Sequence, residues 1–395
     1  MTETSSDSAT TPADPSANVA PEARVEQALF QVKRAVVGQD AMLERVMACA
    51  LAGGHCLLEG PPGLAKTLAA KSLATVLGGS FTRIQFTPDL LPADIVGTRI
   101  YKPSRESFDI ELGPVFANIV LADEINRASP KVQSALLEVM AEGQVSIGGQ
   151  SHPVPSPFMV LATQNPIESE GVYALPEAQQ DRFLMKVLVG YPTDREEHEI
   201  VHRVSVKPPE IHELLSVEQW QELQTATSEV FVHDAIIDYA VRIVAATRRP
   251  AEFGLGDLAD YISYGASPRA TLGLVAAARA MALMRGRTYA HPHDVYAIAT
   301  DVLRHRLVLS YDALAADVSV EAILGRLLQT VLPPNITPNQ TPNHTPSQTL
   351  IQPAQPAQPG AQHPGAQPHA HPQTQPGAQQ PGTPPPVSPQ QPPVR

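Results

Sequence analysis

Apolar residues recur at helical spacing from Pro21 to Val36 (Val25, Ala28, Leu29, Val32, Val36) and again from Ala41 to Leu51. This predicts two opening helices joined by Val37-Gly38-Gln39. The pattern then changes: His55 to Leu58 is a short continuous apolar run, Gly60 to Gly63 a Gly/Pro loop, and Lys66 to Leu77 a further helix. Three more short apolar runs, Phe81 to Phe86, Ile119 to Ala122 and Phe158 to Thr163, are separated by helical or irregular stretches. That alternation predicts an α/β sheet, largely parallel. Beyond Tyr191 the period is 3.6 in Glu196 to Val204, Val217 to Val230, Ala235 to Ala246, Ala270 to Met284 and Val295 to Leu309, so the second part is expected to be all-helical. The expected division is a sheet domain over residues 23–191 and a helical domain over 192–332.

Composition adds two flanks. Of the 40 prolines, 19 fall between Pro333 and Arg395, a stretch with 13 Gln whose one charged residue is Arg395. It lacks the apolar content to offset its ordering entropy and reads as a disordered, partly polyproline II tail over 333–395. Residues 1–22, rich in Ser, Thr, Ala and Pro, are expected to be disordered too. Roughly 310 residues remain, enough for two domains. The net charge is −12, and setting aside Glu3, Asp7, Asp14 and Arg395 with the flanks leaves it near −10. That balance argues against nucleic acid as a partner; Arg248-Arg249 and Arg304-His305-Arg306 are short groups that read as solvated helix faces or ends. Cys49 and Cys56 lie in apolar runs without metal-ligand spacing and read as buried reduced thiols. The apolar stretch Leu272 to Ala278 is cut by Arg279, so no stable membrane insertion and a cytoplasmic location are expected.

Chemistry concentrates first at Gly60-Pro61-Pro62-Gly63-Leu64-Ala65-Lys66-Thr67, between a strand and a helix. Glycines let backbone N–H groups face a phosphate, and the helix directs its positive end there. Lys66 can neutralise β and γ oxygens, and Thr67 can place a hydroxyl on Mg²⁺. The usual pattern G-x-x-x-x-G-K-[ST] has Gly where Ala65 stands, and Ala is expected to be acceptable there only at negative φ. A Gly/Pro turn followed by a surface lysine is the plain alternative, but a first-turn lysine is disfavoured by the helix dipole and a phosphate would remove that penalty.

The apolar run Asn118 to Ala122 ends in Asp123-Glu124. Asp123 is suited to hold Mg²⁺ through water and Glu124 to deprotonate an attacking water. Alone, such a run is an ordinary strand-to-loop transition; after a phosphate loop it gains meaning. Asn165, in Leu161-Ala162-Thr163-Gln164-Asn165-Pro166, sits at a strand's carboxyl end and could hold that water, or simply start a turn. Ser267-Pro268-Arg269 reads as a helix start, which places Arg269 where a cation is unfavourable unless an anion meets it. Arg182 follows a short helical segment from Pro176, a position favourable to arginine without any ligand.

As a set, Val37-Gly38-Gln39, Gly60 to Thr67, Leu121 to Ala128, Ala162 to Pro166, Glu177 to Phe183 and Ser267 to Arg269 resemble the motifs of the AAA+ ATPases, specifically the MoxR family, over about residues 23–331. Ala65 is a common variant in that family. The resemblance implies a three-layer αβα P-loop domain followed by an all-helical lid, assembled into a ring, usually a hexamer, with ATP and Mg²⁺ at each subunit junction. By motif, Val37, Gly38, Gln39 and Gly60, Pro61, Pro62, Gly63, Leu64, Ala65, Lys66 and Thr67 contact nucleotide. Asp123 and Glu124 form Walker B, Asn165 is sensor 1, Arg269 is sensor 2, and Arg182 is the arginine finger for a neighbour's site. Whether Arg269 acts in cis or in trans stays open. Related proteins carry surface devices that correspond to Pro92 to Phe116 and Gly143 to Gln150. The family implies protein clients matured or remodelled at the expense of ATP, with a von Willebrand factor A-domain partner. A magnesium-chelatase-type motor subunit and a nucleotide-switched adaptor are the alternatives, the adaptor being disfavoured by Glu124 and Asn165. A replicative helicase conflicts with the acidic balance.

Overall fold

The computed structural model describes residues 20–104, 106–167, 171–205 and 209–335. Most of both expected disordered flanks lies outside these residues. The chain opens with helices α1 (Pro21–Ala35) and α2 (Asp40–Leu51), then strand β1 (Cys56–Glu59) and helix α3 (Lys66–Val76). β2 (Phe81–Gln85) and the short α4 (Pro92–Val96) lead into an antiparallel hairpin, β3 (Gly97–Lys102) and β4 (Ser107–Leu112). After β5 (Ile119–Asp123) and α5 (Pro130–Glu142) comes a second hairpin, β6 (Gln144–Ile147) and β7 (Gln150–Pro153), which turns at Gly148-Gly149 as the alternation predicts. β8 (Met159–Gln164), α6 (Glu177–Gln180) and β9 (Met185–Leu188) follow.

Five strands form one parallel sheet in the order β2-β5-β8-β1-β9. Side chains alternate across it. Leu57, Val120, Ala122, Val160 and Ala162 meet Val132, Leu136 and Leu137 of α5 on one face. Cys56, Leu58, Ile119, Leu121 and Leu161 meet α1, α2 and α3 on the other. Burial on both faces is why the strands read as continuous apolar runs, and each fully buried Val, Leu or Ile contributes about 1.5–3 kcal/mol. β9 escapes that pattern because Lys186 interrupts it, its Nζ paired with Glu59 Oε2 at 2.8 Å. His55 pins the lower edge: Nδ1 accepts from the Val160 N–H (3.0 Å) and Nε2 contacts the Met140 carbonyl (3.2 Å). Burial lowers its pKa to about 4, so the ring is neutral at physiological pH. Cys49 and Cys56 are buried free thiols, and the Cys49 sulfur together with burial pushes the Cys56 thiol well up.

The remainder is helical: α7 (Asp194–Ser205), α8 (Val217–Glu229), α9 (Asp234–Arg248), α10 (Pro268–Met284), α11 (Pro292–Leu303), α12 (Tyr311–Ala315) and α13 (Val320–Thr330). A small antiparallel ladder, β10 (Ile262–Tyr264) with β11 (Val308–Leu309), is an addition to the expected pattern. The core on the α1–α3 side continues without a break into α8, α9, α10, α11 and α13, and Trp220, fully buried, donates its indole N–H to the Ala50 carbonyl at 3.1 Å.

One reading is overturned. The helix expected to reach Leu309 stops at Leu303, and Arg304-His305-Arg306 is no solvated face: His305 and Arg306 are only 5% and 8% exposed. Arg306 can be buried because a carboxylate, Asp181, and the carbonyls of Asp181, Phe183, Leu184 and Val302 accept from its guanidinium.

Candidate functional site

The register of the sheet brings the carboxyl ends of β1, β5 and β8 to one edge: Glu59 pairs with Gln164, and Asp123 ends β5 beside Gln85. Gly60 leaves β1 against β9, where a Cβ would lie 2.4 Å from the Val189 carbonyl oxygen, so only glycine fits. Gly63 has φ +84°. Ala65 has φ +57° and ψ 18°, the left-handed conformation, contrary to the expectation of a negative φ. The loop must turn sharply to start α3 at Lys66, and a methyl side chain is carried through that turn at a cost of about 1–2 kcal/mol relative to glycine.

Lys66 is buried, and its Nζ donates to the Gly60 carbonyl at 2.6 Å. Burial lowers its pKa, while the carboxylates of Asp123, Glu124 and Glu59 act in the opposite direction. Thr67 lines the same cleft, about 420 Å³ in volume, together with Arg83, Asp123, Glu124, Thr163 and Asn165. A smaller apolar recess of about 150 Å³ adjoins it, shares Gly63, Leu64 and Ala65, and is walled by Val37, Gln39 and Ile200. The Gln39 amide donates to the Gly190 carbonyl (3.0 Å), which holds the Val37-Gly38-Gln39 segment against the end of the sheet.

The acidic pair is held by groups that the motif pattern does not reveal. Thr163 Oγ1 donates to Asp123 Oδ1 (2.6 Å) and accepts from the Glu124 N–H (2.8 Å), so one hydroxyl fixes both residues. Arg83 donates to Asp123 Oδ2 through Nε (3.0 Å) and Nη2 (2.7 Å). Glu124 itself has φ +56° and ψ 49°, a strained conformation that costs about 1–3 kcal/mol and recurs at active sites. Its Oε2 accepts from Gln85 Nε2 (2.9 Å) and Arg127 Nη1 (3.1 Å). Asn165 is buried, and its Oδ1 accepts from the Ile167 N–H at 3.1 Å.

Lys66, Thr67, Asp123, Glu124 and Asn165 are therefore gathered, but Arg182 and Arg269 do not line the cleft. Arg182 is exposed. Arg269, 61% exposed, lies 3.7 Å from Asp181 Oδ2. The residues present fit a magnesium nucleotide: backbone N–H groups and the α3 N-terminus face the cleft, Lys66 supplies a desolvated ammonium, and Asp123 already carries a cationic partner in Arg83. Sequence reasoning passed over Arg83, Gln85 and Thr163. The available signal was that Arg83 and Gln85 alternate along β2, on the strand that pairs with the acidic one.

The chain is similar to known proteins in sequence and in fold. Residues 55–185 match the ATPase family associated with various cellular activities (AAA), and residues 257–327 match the AAA lid domain. Chaperone MoxR1 of Mycobacterium tuberculosis is 59% identical over 310 residues, 78% of this chain and 82% of that protein. Protein MoxR of Paracoccus denitrificans is 34% identical over 311 residues, 73% of this chain and 89% of that one. The crystal structure of a candidate ATPase from Cytophaga hutchinsonii is 44% identical, with a TM-score of 0.76 over 80% of this chain and 96% of that chain.

Proposed function

The chain belongs to the MoxR family of AAA+ ATPases, and on that premise we propose that it binds ATP with Mg²⁺ in the cleft and hydrolyses it within a ring of like subunits, a hexamer. The Gly60–Thr67 loop would hold the phosphates, Lys66 would neutralise the β and γ oxygens, and Val37, Gly38 and Gln39 would contact the base. Thr67 and Asp123 would hold Mg²⁺, which would supply charge neutralisation at the phosphates. Residues 23–191 form the nucleotide domain and 192–332 the lid.

The observation that carries this reading is the placement of Glu124. It follows a strand buried along its whole length, its backbone is locked by Thr163, and its carboxylate shares a cleft with the Lys66 ammonium. With Gln85 and Arg127 both on Oε2, Oε1 takes no hydrogen bond among the described residues and is the atom to accept a proton from water. Asn165 orients that water. Arg182 and Arg269, which lie outside their own subunit's cleft, serve the neighbour's, so turnover depends on assembly.

Action on protein clients is carried over from the chaperone of M. tuberculosis, and a von Willebrand factor A-domain partner is what the family resemblance implies. The β3–β4 hairpin supports a protein client, since Ile100, Tyr101, Phe108 and Leu112 are exposed on it. A cytoplasmic site of action is part of this reading; among the described residues no helix is long and apolar enough to cross a membrane. Glu124→Gln tests the mechanism: nucleotide affinity and ring formation are retained while phosphate release falls about 10²–10⁴-fold. Undiminished release would overturn the role of Glu124 and favour a nucleotide-switched adaptor.

A further inference from the structure

Among the groups that join the helical part to the turn that carries Arg182 is the carboxylate of Asp181. Its Oδ1 accepts from Arg306 Nε at 2.7 Å, and its Oδ2 accepts from Ser267 Oγ at 3.0 Å and lies 3.7 Å from Arg269 Nη1. Its backbone carbonyl accepts from Arg306 Nη2 at 3.3 Å. Ser267 is the N-cap of α10 and also accepts from the Arg269 N–H (3.2 Å). Arg306 is a fixed post. Its side chain is 3% exposed, and it donates to the carbonyls of Phe183 (2.7 Å), Leu184 (3.1 Å) and Val302 whatever Asp181 does.

Two electrostatic facts converge on the same carboxylate. A cation in the first turn of α10 opposes the helix dipole, and an anion beside that turn offsets the opposition. Asp181 is that anion. It immediately precedes Arg182, whose N–H is held by the Gln179 carbonyl at 3.2 Å. One side chain thus joins the start of α10 to the Arg182 turn. The Arg269 contact, at 3.7 Å on a largely exposed side chain, is loose enough to be exchanged for a stronger anion.

We propose that Asp181 is a positioning residue that sets Arg182 and Arg269 side by side as one unit presented to a neighbouring subunit's nucleotide. The proposal rests on the trans role assigned above to the two arginines. In Asp181→Asn the side chain keeps its size and one acceptor oxygen, while the charge and the second acceptor are lost. With a charge-assisted bond worth about 1.5–3 kcal/mol, kcat falls about 10- to 100-fold. Affinity for ATP is unchanged, because the variant's own cleft is untouched.

The deciding experiment mixes full-length Asp181→Asn with full-length Lys66→Ala. Lys66→Ala subunits have a defective cleft and an intact arginine face, so they restore turnover at the Asp181→Asn clefts beside them. A parallel mixture of Arg182→Ala with Lys66→Ala separates the two levels of the argument. Recovery in both supports the proposal; recovery with Arg182→Ala alone overturns the role of Asp181 and leaves the trans reading standing. Recovery in neither overturns the trans reading and the proposal with it. An unchanged kcat for Asp181→Asn also overturns it. Should that variant melt below the parent, Ser267→Ala, which removes one of the contacts, is scored in the same mixture: recovery supports the coupling and its absence refutes it.

Discussion

The phosphate cleft and the arginine edge of this chain differ in how far they are finished. In the cleft each charged group has a partner from the chain itself: Lys66 on the Gly60 carbonyl, Asp123 on Arg83 and Thr163, Glu124 on Gln85 and Arg127. At the edge the Arg182 guanidinium forms no hydrogen bond or ion pair with a described residue, and Arg269 has a 3.7 Å contact on an exposed side chain. Exposed ion pairs contribute about 0–1 kcal/mol, so folding gains little from either arginine. The cleft is a scaffold whose charges are paired within the chain, whereas the edge holds two arginines whose proposed role is to meet an anion from a neighbouring subunit.

Removing Arg182 gives the sharpest break of that contrast. Arg182→Ala is expected to lower turnover about 10³–10⁵-fold, the range for an arginine that stabilises phosphoryl-transfer charge. Nucleotide affinity, measured by titration of a fluorescent ATP analogue, stays at the parent value. A weakened affinity with normal turnover would place Arg182 at its own subunit's cleft and erase the distinction between the two regions.

Thr163→Val is the matching change inside the cleft. It keeps the shape of the side chain and removes the hydroxyl shared by Asp123 and the Glu124 N–H, leaving a buried donor unsatisfied at a cost of about 1–3 kcal/mol. If that cost falls on the reactive geometry, kcat drops about 10- to 100-fold, and Thr163→Ser restores it. Mixed with Lys66→Ala, Thr163→Val should recover nothing, since both subunits then carry defective clefts. Recovery there would assign Thr163 to the edge.

How legible each region is in the sequence follows from the same physics. β5 and β8 are buried on both faces and show as apolar runs, and the glycines of the loop announce themselves because close backbone approach admits nothing larger. β9 hides behind Lys186, and β10 and β11 are too short to show a period. The groups that hold the acidic pair are non-local: Arg83 and Thr163 each stand 40 positions from Asp123, and they meet it only because three strands are neighbours. Arg306 stands 125 positions from Asp181. With its partner that far away, a buried arginine in Arg304-His305-Arg306 reads locally as a solvated one.

The smallest expected effect tests Ala65, which with Glu124 is one of two non-glycine cleft residues held in the left-handed region. Ala65 turns at φ +57°, and glycine in its place relieves about 1–2 kcal/mol of strain. Glycine also widens the unfolded ensemble, which subtracts about 0.4–1 kcal/mol. The difference leaves Ala65→Gly more stable by roughly 0.5–1 kcal/mol, a rise in melting temperature of about 1–3 °C at this size. Ala65→Val must go the other way, because a β-branched side chain in the left-handed region is a genuine outlier. If glycine lowers the melting temperature, the strain at Ala65 is absent and the loop is relaxed there. If glycine raises it while nucleotide affinity falls, the strain keeps the loop open for phosphate, and the methyl group contributes preorganisation that the folded chain alone does not need.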